Sequence, residues 1–232
     1  VKKSYRFQRG SYLIAAKQQI SNNSGAPVTA REYTQLQRTE LYDPNAASFI
    51  YTYTGGVYYS PEDKYKKESF DDMRSAKLDL EISDGWVAMI QHYFMGAWIP
   101  PREVARTFYT NVLADARYII GMYSPAVSIP VGAEYTFDNQ LFAGPKLQNT
   151  LAEIAPGLEL AVDYGWLTIL SEPIYWLLSK IHSFVGNWGW SIIFLTILIK
   201  LAFYKLSETS YKSMANMRKF TPRLQALKDR YG

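Results

Sequence analysis

The chain has 232 residues and no cysteine, so no disulfide staples it and no thiol chemistry is open to it. It carries only two histidines, His92 and His182, neither in a His-x-x-x-His spacing, and a metal centre would need unusual ligands. Gly-rich phosphate loops and Gly-x-Ser-x-Gly elbows are also missing. The acidic pairs Glu62-Asp63 and Asp71-Asp72 lie in polar stretches and read as solvated loop charges rather than as a general acid and base. With these constellations absent, neither enzymatic activity nor a cofactor is expected. The first ten residues lack the apolar core of a signal peptide. A domain that crosses a membrane needs such a signal upstream, so the chain is expected to be a fragment that starts inside a domain.

Negative charge is scarce after Ile181. From there to the end, eight Lys and Arg face only Glu208 and Asp229, a net +6, while the first 180 residues carry a net −2. Just ahead of the basic stretch lies the longest apolar run, from Trp188 to Tyr204, interrupted by one ammonium at Lys200. Residues 187–206 would form a transmembrane helix, since 20 residues at ~1.5 Å each match a ~30 Å hydrocarbon core. Lys200 costs about 2.5–3.5 kcal/mol in such a span, and each Leu, Ile or Phe returns about 0.3–0.6, so insertion still stands. Thr196 lies one turn before Lys200, and Ser207 continues the stripe. Two readings of Lys200 stay open: an ammonium snorkelling toward the nearby interface, or a charge facing a polar groove within a bundle. The basic flank makes the C-terminal side cytoplasmic and places the N-terminal region across the membrane. Trp188 and Trp190 then form an aromatic belt at the far interface, with core packing as the alternative.

The N-terminal region has the composition of a β domain. A mean hydropathy of −0.18 with 48% hydrophobic residues is too polar for a polytopic protein but sufficient for one full core. Alternating runs around Tyr5–Phe7 and Tyr12–Ile20 are parted by a Gly10-Ser11 turn. Further strand-like pieces fall at 49–53, 57–59, 78–82, 86–94, 97–99, 107–113, 118–120, 127–129 and 133–142. Turn signals such as Gly55-Gly56, Ser83-Asp84-Gly85 and Pro100-Pro101 separate many of them, a pattern that predicts an all-β sandwich over 1–146. The charge run Lys64–Lys67 reads as a solvated loop or edge, not a nucleic-acid site. His92 reads as a hydrogen-bonded strand residue.

Residues 147–163 turn helical and connect to an amphipathic helix at 164–185, in which Trp166, Ile169, Leu170, Ile174, Leu177, Ile181 and Phe184 recur at three- and four-residue steps. Too polar to span, this helix is expected to lie in the outer interface with Trp166 as an anchor; packing on the β domain is the alternative. Beyond the span, residues 207–232 carry a short heptad seam at Met217, Phe220, Leu224, Leu227 and Tyr231, with Pro222 as a potential kink. Such a seam needs a partner helix, expected downstream, as the start of a cytoplasmic coiled-coil hairpin. Its basic residues predict nonspecific affinity for anionic lipid or RNA, with no specific nucleic-acid sequence read.

Several stretches carry a resemblance. Val162–Trp166, Ile181–Ser191, Tyr211–Arg218 and Pro222–Ala226, together with Gly85–Met89, Tyr93-Phe94 and Ala97–Pro100, closely resemble the YidC family of membrane protein insertases of Gram-negative bacteria. The resemblance covers essentially the whole chain. It implies a mainly β periplasmic supersandwich followed by an α-helical membrane segment: an interfacial helix, the first transmembrane helix of the insertase core and a basic cytoplasmic helix. It also implies the inner membrane as location, with nascent membrane proteins, the Sec translocon, the ribosome and the lipid bilayer as partners. In that family the core helices enclose a hydrophilic groove with a basic residue that attracts polar or acidic parts of an incoming chain. Lys200 matches the groove arginine and Thr196 the groove threonine. Lysine keeps the charge but loses the planar five-donor fork of arginine, and Lys205 stands where members often have proline. The alternative is a membrane-anchored carbohydrate-binding or sugar-processing domain, because the family's supersandwich resembles folds found in such proteins.

Overall fold

In the computed structural model, residues 1–40, 53–162 and 168–231 are described, with side chains from Ile169 in the third helix and up to Met217 in the last. The chain divides into two units, Val1–Val162 and Asp163–Gly232. The first six strands of unit one are β1 (Lys2–Arg6), β2 (Leu13–Ser21), β3 (Val28–Ala30), β4 (Tyr33–Thr39), β5 (Gly55–Ser60) and β6 (Lys64–Glu68). A short helix α1 (Phe70–Ser75) precedes β7 (Asp79–Ile82), β8 (Trp86–Ile90), β9 (Phe94–Ile99), β10 (Arg106–Leu113), β11 (Arg117–Tyr123), β12 (Val127–Ile129) and β13 (Glu134–Pro145). The unit closes with α2 (Gln148–Ile154) and a 3-10 turn, Leu158–Ala161.

Strand side chains alternate between faces, and at the central strands of the main sheet both faces are covered. This seven-stranded sheet has the order β1-β2-β13-β9-β8-β5-β6. Val57, Tyr59, Trp86, Ala88 and Ile90 point to one side, into a core shared with Leu151, Leu158 and Ala161. Their neighbours Tyr58, Val87 and Met89 point to the other side, where Phe108, Tyr118 and Ile120 of the four-stranded sheet β4-β11-β10-β7 meet them. Two covered faces explain why β8, Trp-Val-Ala-Met-Ile, is buried at every position. β3 and β12 form a separate two-stranded ribbon.

Three features pin this arrangement. The Trp86 indole stacks on Tyr59, with ring centroids 5.9 Å apart and planes 8° from parallel, and its Nε1 donates to the Pro156 carbonyl at 3.0 Å. Gly157, at φ 74°, packs against the same Tyr59 ring, where a Cβ would stand 2.3 Å from Cε2. Only glycine meets both the left-handed backbone and that close approach without strain. Between the sheets, Arg106 Nη1 lies 3.1 Å from Glu32 Oε2, with the side chains 4% and 1% exposed, and Gln18 Nε2 donates to the other Glu32 oxygen at 3.0 Å.

Several expectations change here. The piece read as one strand over 86–94 is two, β8 and β9, joined by a tight turn. His92 sits in that turn against Tyr93, at 4.0 Å between centroids, and is not a strand residue. Lys64–Lys67 lies in the edge strand β6, where lysines discourage further pairing. Asp71 and Asp72 occupy the first turn of α1. Ser69 caps this helix by accepting from the Asp72 amide, and the Asp72 carboxylate accepts from the Ser69 amide and hydroxyl, which holds its pKa below the usual carboxylate range. β3 and β4 went unforeseen, because Tyr-Thr-Gln-Leu-Gln-Arg-Thr hides its pattern in polar residues whose alternate members Thr34, Leu36 and Arg38 are the covered ones. The strand expected at 49–53 lies largely outside the described residues.

Unit two contains α3 (Thr168–Val185), α4 (Trp188–Ala202) and α5 (Tyr204–Tyr231). Gly186, at φ 69°, ends α3 with its amide on the His182 carbonyl at 2.8 Å. Asn187 then caps α4, its Oδ1 accepting from the Gly189 and Trp190 amides at 2.9 and 3.3 Å. A glycine just past one helix and an asparagine just before the next make a two-residue hairpin link.

The helix expected over 187–206 is broken. α4 ends at Ala202 because Phe203, at φ −92° and ψ 7°, leaves the helical basin for the bridge region. Among the described residues no single helix is long and apolar enough to cross a membrane. Trp188–Ala202 and Tyr204–Met217 meet that requirement together, by length and composition, as a pair bent by 60°. α5 continues through position 222 without interruption.

Candidate functional site

α4 is built to present two faces. Ser191, Leu195 and Ile199 recur every four residues. Ser191 and Leu195 are buried and Ile199 half-buried, on the helix that packs with α3. Small Ser191 allows close approach, and its hydroxyl is satisfied by donating to the Asn187 carbonyl at 2.7 Å. Thr196 and Lys200 each follow one residue after this stripe, turned from it by about 100°, and both are exposed. Thr196 Oγ1 donates to the Ile192 carbonyl at 2.7 Å, so the hydroxyl still has capacity to accept. Among the described residues no ion pair engages the Lys200 ammonium. The two lie four residues apart on one face of one helix. Ser207 belongs to α5 beyond the 60° bend, so the stripe expected to run from Thr196 through Ser207 stops at Lys200.

The tryptophans divide. Trp188 stacks on His182 across the α3–α4 link, with centroids 3.8 Å apart and planes 13° from parallel, and remains half exposed. Trp190 lies 6.4 Å from Phe194 and is also exposed. Trp166 falls outside the described residues. Trp176, not singled out in the sequence, projects from α3 with Lys180 over its ring at 5.9 Å. On α3, Leu177 and Ile181 are half-buried, whereas Ile169, Leu170, Ile174 and Phe184 are exposed. Among the described residues no group of three or more His, Asp or Glu stands ready for a metal ion.

A mainly β unit is followed by an apolar hairpin and a long basic helix, and the bent pair α4–α5 is long and apolar enough, by length and composition, to cross a membrane. Sequence comparison makes the class definite: the YidC periplasmic domain matches residues 1–177 and the 60Kd inner membrane protein family matches residues 180–232. The chain belongs to the YidC family, an inner-membrane family with a periplasmic domain. A membrane protein insertase YidC of Methylococcus capsulatus is 54% identical over 233 residues, covering 100% of this chain and 43% of the relative. Another, from Alkalilimnicola ehrlichii, is 49% identical, covering 100% and 41%. The chain therefore spans less than half the length of these curated relatives. Among solved structures, a galactose mutarotase related enzyme from Lactobacillus acidophilus is similar at a TM-score of 0.44 and 11% identity, over 61% of this chain and 60% of that one. That likeness is too loose to bear on function.

Proposed function

We propose that this chain is part of an insertase that helps nascent membrane proteins into the inner membrane, alone or with the Sec translocon, receiving them from the ribosome. The observation that carries the reading is identity of 45–54% across 99–100% of this chain to proteins named membrane protein insertase YidC, joined to an exposed cation, Lys200, on an apolar helix. In this reading the β unit is periplasmic and the basic α5 cytoplasmic. The bent pair of α4 and the start of α5 supplies the first core segment, and α3 lies in the outer interface with Trp166, Trp188 and Trp190 as anchors. The apolar side chains left exposed on α3 support that placement. Residues 147–163 serve as the connection. Lys200 and Thr196 face a groove completed by helices from elsewhere in the protein. There a half-desolvated cation lowers the cost of drawing a polar or acidic flank partway into the bilayer. Unlike an arginine, Lys200 attracts carboxylates as a point charge without fixing their orientation. The reading needs no cofactor. A glycan-binding role has no observation of comparable weight behind it.

The test is insertion by the full-length protein carrying Lys200→Ala, with photo-crosslinking from positions 196 and 200 to a stalled client. Impaired insertion and crosslinks from these two positions, but not from the face at Leu195, are expected. Wild-type rates, or labelling by lipid alone, would make Lys200 a snorkelling anchor.

A further inference from the structure

α3 carries one cation on its outward side. Ile169, Pro173, Trp176, Lys180 and Phe184 follow one another at steps of four, three, four and four, which sets them in a single row along the helix. All five are exposed, with Ile169 at 89%, Trp176 at 61% and Phe184 at 90%. Leu178 and Ile181 are half-buried and lie on sides turned from this row, where α3 packs with α4. The row is thus a side of α3 that the described part of unit two leaves uncovered, and Lys180 is its only charge.

The surroundings of Lys180 orient it without neutralising it. Its ammonium stands over the Trp176 ring at 5.9 Å from the centroid, within reach of a cation–π contact. Among the described residues no ion pair engages it. Glu172, the one acidic residue of α3, lies eight residues away, roughly 12 Å along the axis and about 80° around it. His182 is occupied by its stack on Trp188. A counter-charge is therefore left to the surroundings of the helix. A free anion would meet a single ammonium in open water, a weak arrangement. An amphiphile meets more: Trp176 and Phe184 lie one turn to either side of Lys180, so a molecule with an anionic head and a hydrocarbon body satisfies the charge and the apolar row together.

We propose that Lys180, beside Trp176, binds the phosphate of an anionic phospholipid, so that α3 gathers such lipid around itself. The inference rests on the reading that α3 lies in the outer interface, and deepens it by naming the lipid and the residue that selects it. An apolar row alone would hold any phospholipid equally. One lysine at an anionic surface is enough to enrich the lipid beside it about fivefold.

The experiment uses full-length protein with no cysteine except Phe184→Cys, which carries a fluorescent dye one turn from Lys180. Nanodiscs hold equal parts of phosphatidylglycerol and phosphatidylcholine, and only one of the two is brominated in its acyl chains. Brominated phosphatidylglycerol is expected to quench the dye more strongly, to a degree that corresponds to about fivefold local enrichment. Lys180→Gln is expected to bring the two lipids level, and Lys180→Arg to keep the difference. Lys205→Gln, which removes the same charge from α5, is expected to leave it unchanged. Equal quenching by the two lipids would overturn the proposal and keep α3 in the interface. So would a difference that survives Lys180→Gln or falls as far in Lys205→Gln. Quenching by neither lipid would overturn the interfacial reading and the proposal with it.

Discussion

In unit one the apolar side chains of the central strands are covered on both faces of the sheet, so that Val57, Trp86 and Val87 are sealed. In unit two, α3 and α4 seal one narrow stripe and leave Ile169, Phe184, Ile193 and Leu198 in the open. The two units thus place similar residues in opposite surroundings. Protein covers the apolar side chains of the first, whereas the second leaves a large share of its own uncovered among the described residues. The same contrast governs charge: Arg106 is buried against a carboxylate, and Lys200 projects on the exposed side of its helix.

If that contrast is right, the largest effect should come from breaking the buried pair. Arg106→Met strands Glu32, 1% exposed, in the interior and is expected to cost about 3–5 kcal/mol. Denaturant unfolding followed by tryptophan fluorescence measures it, and a loss below about 1 kcal/mol would place the pair in effective solvent contact. Next, Gly157→Ala sets a Cβ against the Tyr59 ring at a positive φ, with an expected cost of about 1–3 kcal/mol in the same assay. The smallest stability effect belongs to unit two: Phe184→Cys, at a side chain 90% exposed, should change unfolding by no more than about 0.5 kcal/mol. Since this chain has no other cysteine, an environment-sensitive dye at 184 would report the phase around α3. Blue-shifted emission quenched by brominated lipid is expected, and water-like emission would end the interfacial reading.

Periodicity reveals the class of each unit because it follows from covalent geometry, two residues per strand repeat and about 3.6 per helical turn. Trp86–Ile90 could be read as a buried strand from composition alone, and the β-then-α order follows from such runs. β4 could not, since its burial depends on partners that polar lettering does not announce. The turn at His92 was hidden because apolar residues continue on both sides of it. The break at Phe203 has no proline or glycine to signal it. Thr196 and Lys200 were legible because a polar residue in an apolar run is conspicuous. Asn139 was not, for an asparagine in a strand is ordinary until the structure shows its buried carboxamide without a hydrogen-bond partner.

The position of β13 in the main sheet has a kinetic consequence. Among the described residues the N-terminal hairpin β1-β2 joins the rest of the sheet only through β13, with Ser21 opposite Glu134 and Leu13 opposite Phe142. More than a hundred residues separate these partners, so loop-closure entropy opposes the pairing and topology makes it slow. During synthesis the hairpin must wait, unpartnered on one side, until nearly the whole unit has been made. Docking of β13 is then the event that joins two partly formed pieces into one sheet, and the closing step of the sheet falls to a strand that the ribosome delivers almost at the end of the unit.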